Sequence, residues 1–168
     1  QDPDTWWTST VSNLRRLLDR DGVSPHDILA IGVSGQMHGT VPIGRSGELL
    51  SHGVQLWCDK RASDIVEGFA KSPEADLARA LSGTPPEAAW LGFKIKWLQV
   101  HEPDLYHHAW KFLVPKDFIN YRLTGVPTID PSEASGSFLM DARAGSWSEE
   151  VCRPVELDMV RLPPTRLS

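Results

Sequence analysis

The sequence predicts an α/β fold, and three observations carry the prediction. Trp7, Val11, Leu14 and Leu18 fall at helical spacing and give one apolar stripe. Residues 28–34 (Ile28-Leu29-Ala30-Ile31-Gly32-Val33-Ser34) form a short apolar run between turn signals, the mark of a buried strand. Strand-sized and helix-sized pieces then alternate to the end of the chain, and helix followed by buried strand is the order of an α/β layer. The 168 residues suffice for one domain.

The elements follow in order. Asp2-Pro3 fits an N-cap with proline at the first helical position, and Asp21-Gly22 ends that helix. Ser24-Pro25 starts a single turn. After the strand at 28–34, Gly44-Arg45-Ser46-Gly47 makes a tight turn between strand-like pieces at 40–43 and 48–50, and a further strand spans 53–57. Residues 61–70 and 73–81 read as helices, the second capped by Ser72 and stopped by Gly83. A loop at 84–89 leads to a helix at 90–100, with Leu91, Ile95 and Leu98 on one face and Pro103 just beyond. A strand at 110–114 precedes a helix at 115–123 that Gly125 ends. Asp130-Pro131-Ser132 reads as an Asx turn. Ser146-Trp147-Ser148-Glu149 matches a capping box before a last short helix. There is no internal repeat and no low-complexity tract.

Composition narrows the function. The net charge of −5, with no basic run, argues against a nucleic-acid partner or an anionic membrane surface. No apolar stretch of about 18 residues and no signal peptide is present, so the expected location is the cytoplasm. Cys58 and Cys152 lie far apart and suggest two free thiols in a reducing compartment.

The chemistry concentrates in Gly35-Gln36-Met37-His38-Gly39, directly after the first strand. The glycines allow tight conformations and close approach to a ligand. Gln36 and His38 can donate and accept, as a polyhydroxylated ligand requires, and Met37 would give an apolar wall. A strand-to-hairpin turn with a satisfied buried histidine is the equal alternative. Trp57, Asp59 and Arg61 form a second cluster, on one side of the strand if it continues. Asp59 reads as the edge of a site, and Arg61 as its partner in capping the next helix. Ser34 sits in a sequence like a nucleophile elbow, but Gln36 replaces the last glycine and no acid–histidine pair supports it. His101-Glu102 with His107-His108 lacks metal-ligand spacing, and Pro103 breaks the helix such spacing needs. No glycine-rich phosphate loop is present, and Asp117, Asp130 and Asp141 stand isolated.

Together these segments resemble the FGGY carbohydrate kinase family, and within it the xylulokinase branch most closely. The resemblance rests on residues 31–39, on Trp57-Cys58-Asp59-Lys60-Arg61, on Pro115-Lys116-Asp117 with Arg122-Leu123-Thr124-Gly125, and on Asp130-Pro131-Ser132-Glu133-Ala134-Ser135-Gly136. The opening Gln1-Asp2-Pro3-Asp4-Thr5-Trp6-Trp7 resembles the family's first helix. The resemblance implies an actin-like ATPase, ribonuclease-H-like fold and transfer of the ATP γ-phosphoryl group, with Mg²⁺, to a hydroxyl of a small-molecule sugar. It implies that Met37 and His38 touch the substrate, that Gln36 shapes the loop, and that Trp57 and Asp59 lie nearby.

The family's Asp-x-Gly-Thr strands, catalytic aspartate and adenine-binding glycines have no counterpart in residues 1–168. The expectation is therefore a partial N-terminal, sugar-binding lobe that holds no catalytic residue, cofactor site or metal site and is inactive alone. A homodimer is a further expectation. Where xylulokinases carry a Phe-Thr-x-Pro-Lys loop, this chain has Ala89-Trp90-Leu91-Gly92-Phe93-Lys94. Trp90 is the candidate for the substrate contact that the family places here, or else a packed helix-start tryptophan. The exact sugar stays open among xylulose, ribulose, another ketose and a polyol, and a non-catalytic sugar-binding lobe is the rival reading.

Overall fold

The computed structural model describes residues 1–20 and 22–167. The chain runs α1 (Pro3–Leu18), a 3₁₀ turn (Pro25–Asp27), β1 (Val41–Ile43), α2 (Ser63–Ala70), α3 (Ala75–Ser82), α4 (Leu91–His101) and α5 (Pro103–His108). It continues through β2 (Lys111–Leu113), α6 (Pro115–Thr124), α7 (Pro131–Ser135), β3 (Met140–Asp141), β4 (Ser146–Trp147) and α8 (Glu149–Cys152) to a second 3₁₀ turn (Met159–Arg161).

Local chemistry explains several boundaries. The Asp2 carboxylate accepts from the Asp4 N–H at 3.0 Å, and Pro3 takes the first helical position of α1. Ser24 caps its 3₁₀ turn in the same way, accepting from the His26 N–H. Gly83 and Gly125 end α3 and α6 at φ 73°, a left-handed conformation that a Cβ would disfavour. The helix stop expected at Asp21-Gly22 falls partly outside the described residues, since Asp21 is not among them; α1 itself ends at Leu18.

β1 and β2 pair antiparallel, with Val41 opposite Leu113 and Ile43 opposite Lys111. The Gly44–Gly47 turn returns the chain so that Leu49 bridges to Ile43. Beneath this ladder lies a small core of Val41, Ile43, Val54, Leu113, Phe118 and Ile119, against which Trp6 and Trp7 pack from α1. The Arg122 guanidinium stands 4.9 Å from the Trp7 ring centre and 3.2 Å from the Asp4 carboxylate, tying α6 to α1. A larger core joins α2, α3, α4 and α7 to the β3–β4 hairpin. Phe69, Phe93 and Phe138 meet at its centre, with ring centroids 5.1 to 5.6 Å apart.

Four expectations are corrected. Residues 28–34 form no ladder, and all but Val33, which packs against the small core, are exposed: Leu29 is 97% and Ile31 53% accessible. A strand needs a neighbour for its N–H and C=O groups, and among the described residues β1 and β2 pair with each other instead. Residues 53–57 make only one bridge, Gln55 to Thr40, because the Asp59 N–H bonds to the Leu56 carbonyl and turns the chain at Trp57-Cys58.

The helices expected from 61 and 73 begin at Ser63 and Ala75; Ser72 does not cap, its hydroxyl being buried without a partner among the described residues. The capping box at 146–149 does not form, because Ser146 pairs with Asp141 across the β3–β4 hairpin and Ser148 takes the N-cap position of α8 instead. The Asx turn expected at Asp130 forms, its carboxylate accepting from the Ser132 N–H, and a further bond from the Glu133 N–H makes it the N-cap of α7. α5 is the other helix not expected from the sequence.

Candidate functional site

The Gly35–Gly39 segment leaves the exposed run and dives between the two cores. Its last glycine is sterically required: a Cβ on Gly39 would sit 2.5 Å from Pro115 Cγ. The next residue inward, Thr40, is already buried and leads into β1.

His38 is the centre of the arrangement. It is 9% exposed and holds φ 57°, a conformation that few residues other than glycine adopt. Its backbone is gripped from both sides by opposite charges. The N–H donates to Glu133 Oε1 at 3.2 Å, and the carbonyl accepts from Lys94 Nζ at 2.6 Å. The ring meets Trp90 edge to face, centroids 4.6 Å apart, and lies so close to Gly136 that a Cβ there would be 2.8 Å from Cε1. Burial, and then the Lys94 charge, push the imidazole down to about 4, so it is neutral at pH 7. Among the described residues neither ring nitrogen has a hydrogen-bond partner, and a neutral ring offers one donor and one acceptor.

Lys94 is fully buried within α4. Burial lowers its ammonium to about 8, against the opposing influence of Asp59 and Cys58. Asp59 is held by Arg61, whose N–H and Nε both donate to it at 3.0 Å. Burial works to raise the Asp59 carboxyl, but the Arg61 bonds and charge outweigh it and keep it below the usual range. The Arg61 guanidinium also stacks over Trp97 at 4.7 Å, but the pair does not cap the next helix as expected: Ala62 is the N-cap of α2, with no side-chain cap bond among the described residues.

The expected site residues therefore divide. His38 and Trp90 are in contact, and the turn carrying Asp59 lies against Lys94, one bond from His38. Trp90 takes the packing role considered for it and also touches the His38 ring. It packs at the start of α4, its indole N–H donating to the Pro85 carbonyl at 2.8 Å, and it walls the His38 ring. Met37 and Trp57 are more than half exposed and lie on the surface of this region. Gln36 points away, its amide donating to Gln1 Oε1 at 3.0 Å in a cleft of ≈ 250 Å³ that Ser34, Trp6 and Lys116 also line. Ser34 has no histidine partner among the described residues, which leaves the nucleophile reading without support.

Two other polar groups carry different chemistry. Lys116 Nζ lies 2.5 Å from both Asp117 and Asp130. Asp117 is buried, and burial pushes its carboxyl up to about 6 against the pull of Lys116. Asp130 is held below the usual carboxylate range by bonds from Lys116 and Ser132, despite partial burial. The histidines near α5 do not converge: His101 stacks on Trp97 and His108 Nδ1 faces the Asp104 carbonyl. The candidate metal-binding group among the described residues, Asp2, Asp4 and His52, is a surface set in which His52 Nδ1 lies 3.3 Å from the Asp2 carboxylate and 3.7 Å from that of Asp4.

Sequence reasoning missed Lys94, Glu133 and Gly136 as parts of the His38 setting. One signal was present: Lys94 interrupts the otherwise apolar Leu91-Gly92-Phe93 and Ile95, and a lysine in a core stretch needs a buried partner. Glu133 carried no comparable signal, because its acceptor role depends on α7 lying beside a loop 95 residues earlier.

Comparison with known proteins agrees with this architecture. The chain is 32% identical over 157 residues to the xylulose kinase of Staphylococcus xylosus, covering 94% of this chain and 32% of that protein. It is 29% identical over 171 residues to a glycerol kinase of Nitrobacter hamburgensis, covering 98% and 34%. The crystal structure of a xyloylose kinase from Brucella ovis superposes with a TM-score of 0.89 at 28% identity, over 99% of this chain and 34% of that one. The chain thus spans about a third of the length of the curated relatives it matches. Its fold is the N-terminal part of the actin-like ATPase fold of these kinases. Residues 1–168 match the N-terminal domain of the FGGY family of carbohydrate kinases, and the chain belongs to that family.

Proposed function

We propose that residues 1–168 form the sugar-binding part of a kinase that phosphorylates a ketopentose, D-xylulose or a close relative, with ATP as donor. The observation that carries this reading is the His38 ring. It is neutral, fixed on its backbone by Lys94 and Glu133, walled by Trp90, and among the described residues neither of its nitrogens has a partner. Such a group suits a neutral polyhydroxylated ligand, to which it can donate once and accept once. Met37, Trp57 and Asp59 would extend the wall, and Gln36 would brace the loop from outside. The similarity to xylulose kinases supports the ketopentose, and the similarity to glycerol kinases keeps a polyol as the second reading.

ATP, when bound, would supply the transferred phosphoryl group. The carboxylates present do not fit a Mg²⁺ site, since Asp117 and Asp130 already converge on the Lys116 ammonium. We place the nucleotide and metal machinery, and the catalytic base, outside this span, and the protein in the cytoplasm. No helix among the described residues is long and apolar enough to cross a membrane.

The test is a coupled ADP-release assay of the full-length protein on D-xylulose, D-ribulose and glycerol, with His38→Ala beside wild type. Losing one or two hydrogen bonds to a neutral ligand should lower kcat/KM by about 1–3 kcal/mol, roughly 5- to 150-fold. Phosphorylation of glycerol alone would replace the ketopentose by the polyol. Phosphorylation of none would leave the non-catalytic sugar-binding lobe. ATP-dependent phosphorylation by residues 1–168 alone would overturn the division of labour.

A further inference from the structure

The charge on Lys94 has no structural reason to be where it is. Its neighbours Leu91, Phe93 and Ile95 are all core residues of α4, and the side chain is wholly buried. An aliphatic residue there would continue the core, whereas an ammonium must be desolvated. Its one hydrogen bond among the described residues, 2.6 Å to the His38 carbonyl, reaches 56 residues back along the chain to a residue held at φ 57°. A non-glycine residue in that region is disfavoured and persists only where the surroundings enforce it.

The enforcement is visible. Lys94 holds the carbonyl side of His38 from α4, and Glu133 holds the N–H side from α7. Of the two, only Lys94 is fully buried, so water cannot replace its bond to the carbonyl. Trp90, one turn before Lys94 on the same helix start, sets the ring face. α4 thus holds both the carbonyl and the ring face of His38, and α7 holds the N–H.

We propose that Lys94 is a positioning residue for the sugar-side wall, acting through its hydrogen bond to the His38 carbonyl rather than by touching the substrate. The proposal rests on the functional reading above for its kinetic consequence but not for its structural one. Removing the ammonium while keeping the volume, as in Lys94→Met, releases the His38 carbonyl and lets the loop leave the left-handed conformation. Met37 and the His38 ring then lose their fixed direction, and the energetic loss falls on sugar binding and not on the nucleotide.

The experiment compares wild type with Lys94→Met and His38→Ala in the full-length protein. The expected result for Lys94→Met is a sugar KM raised about tenfold or more, the loss of one charge-assisted bond's worth of preorganisation, with the KM for ATP and kcat unchanged. The double variant should add little to either single one, because both act through the same ring. A purely structural lysine would instead lower the active fraction, and so the apparent kcat, and leave both KM values alone; that outcome overturns the proposal.

A second readout is independent of activity. In histidine-labelled protein, the nuclear Overhauser contact between the His38 ring protons and the Trp90 indole should be present in wild type and lost in Lys94→Met. If it persists, Lys94 does not position the ring, whatever the enzyme does. If wild type phosphorylates no sugar and yet the contact is lost in the variant, the functional reading fails while the positioning role stands.

Discussion

Acidification should reveal His38 as a buried neutral imidazole. Burial and the Lys94 charge lower its pKa from 6.5 to about 4. Between those values the unfolded chain binds a proton that the folded chain refuses, so folding loses stability as pH falls. The contribution is complete above pH 6.5 and disappears progressively down to pH 4. At pH 5 the difference is about 1.5 pKa units of unfolded-state protonation, or about 2 kcal/mol. The control is His38→Asn, which does not titrate and tolerates the left-handed backbone. Urea unfolding of both proteins at pH 7.5 and pH 5 should show wild type losing about 2 kcal/mol more than the variant. The five other histidines and all the carboxylates are common to both proteins and cancel in the difference. A histidine-selective titration should show one Cε1–H signal unmoved through pH 6.5. Equal losses in the two proteins, or a His38 signal titrating at 6.5, would refute the account of the ring as desolvated and neutral.

Two further predictions concern packing and charge. Gly92→Ala would put a Cβ 2.8 Å from Leu139 Cδ2 and 3.0 Å from the Ser137 carbonyl inside the larger core, and should destabilise by about 1–3 kcal/mol, read as a lowered Tm. Asp117→Asn and Asp130→Asn should act with opposite signs at pH 8. The first removes a buried carboxylate whose pKa is raised to about 6, a charge that costs stability above that pH, and should be neutral to stabilising. The second keeps an amide oxygen that can still cap α7 but removes an ionised Lys116 partner, and should cost about 1 kcal/mol by urea titration.

Much of the fold was readable because its signals are local. Asp2-Pro3, Ser24-Pro25, Gly83 and Gly125 each act within one turn of chain, and each sits where the sequence puts it. The failures are where an outcome depends on a neighbour. The apolar content of 28–34 says that the segment should be covered, but a strand is defined by its partner, and none is supplied among the described residues. At 53–57 the alternation was real, yet the Leu56–Asp59 turn overrode it. The site shows the same division. His38 and Trp90 could be named from residue type and resemblance, whereas Lys94 and Glu133 join them only because α4 and α7 fold over the loop.

That dependence has a consequence for how such a wall can change its ligand. His38 belongs to the loop after the exposed segment, but nothing in that segment fixes its direction. The fixing groups come from α4 and α7, which are anchored in the larger core through Phe93, Ala134 and Phe138. Changes at Trp90, or at the residues around it, can therefore turn or tilt the ring while leaving the strand-like run and its glycines untouched. The departure of Ala89-Trp90-Leu91-Gly92 from the pattern common in xylulokinases falls on this lever. A Trp90→Phe exchange keeps an aromatic wall but removes the N–H that bonds the Pro85 carbonyl. If the wall selects the sugar, that exchange should shift the ratio of kcat/KM between ketopentose and polyol more than it shifts either stability or the KM for ATP.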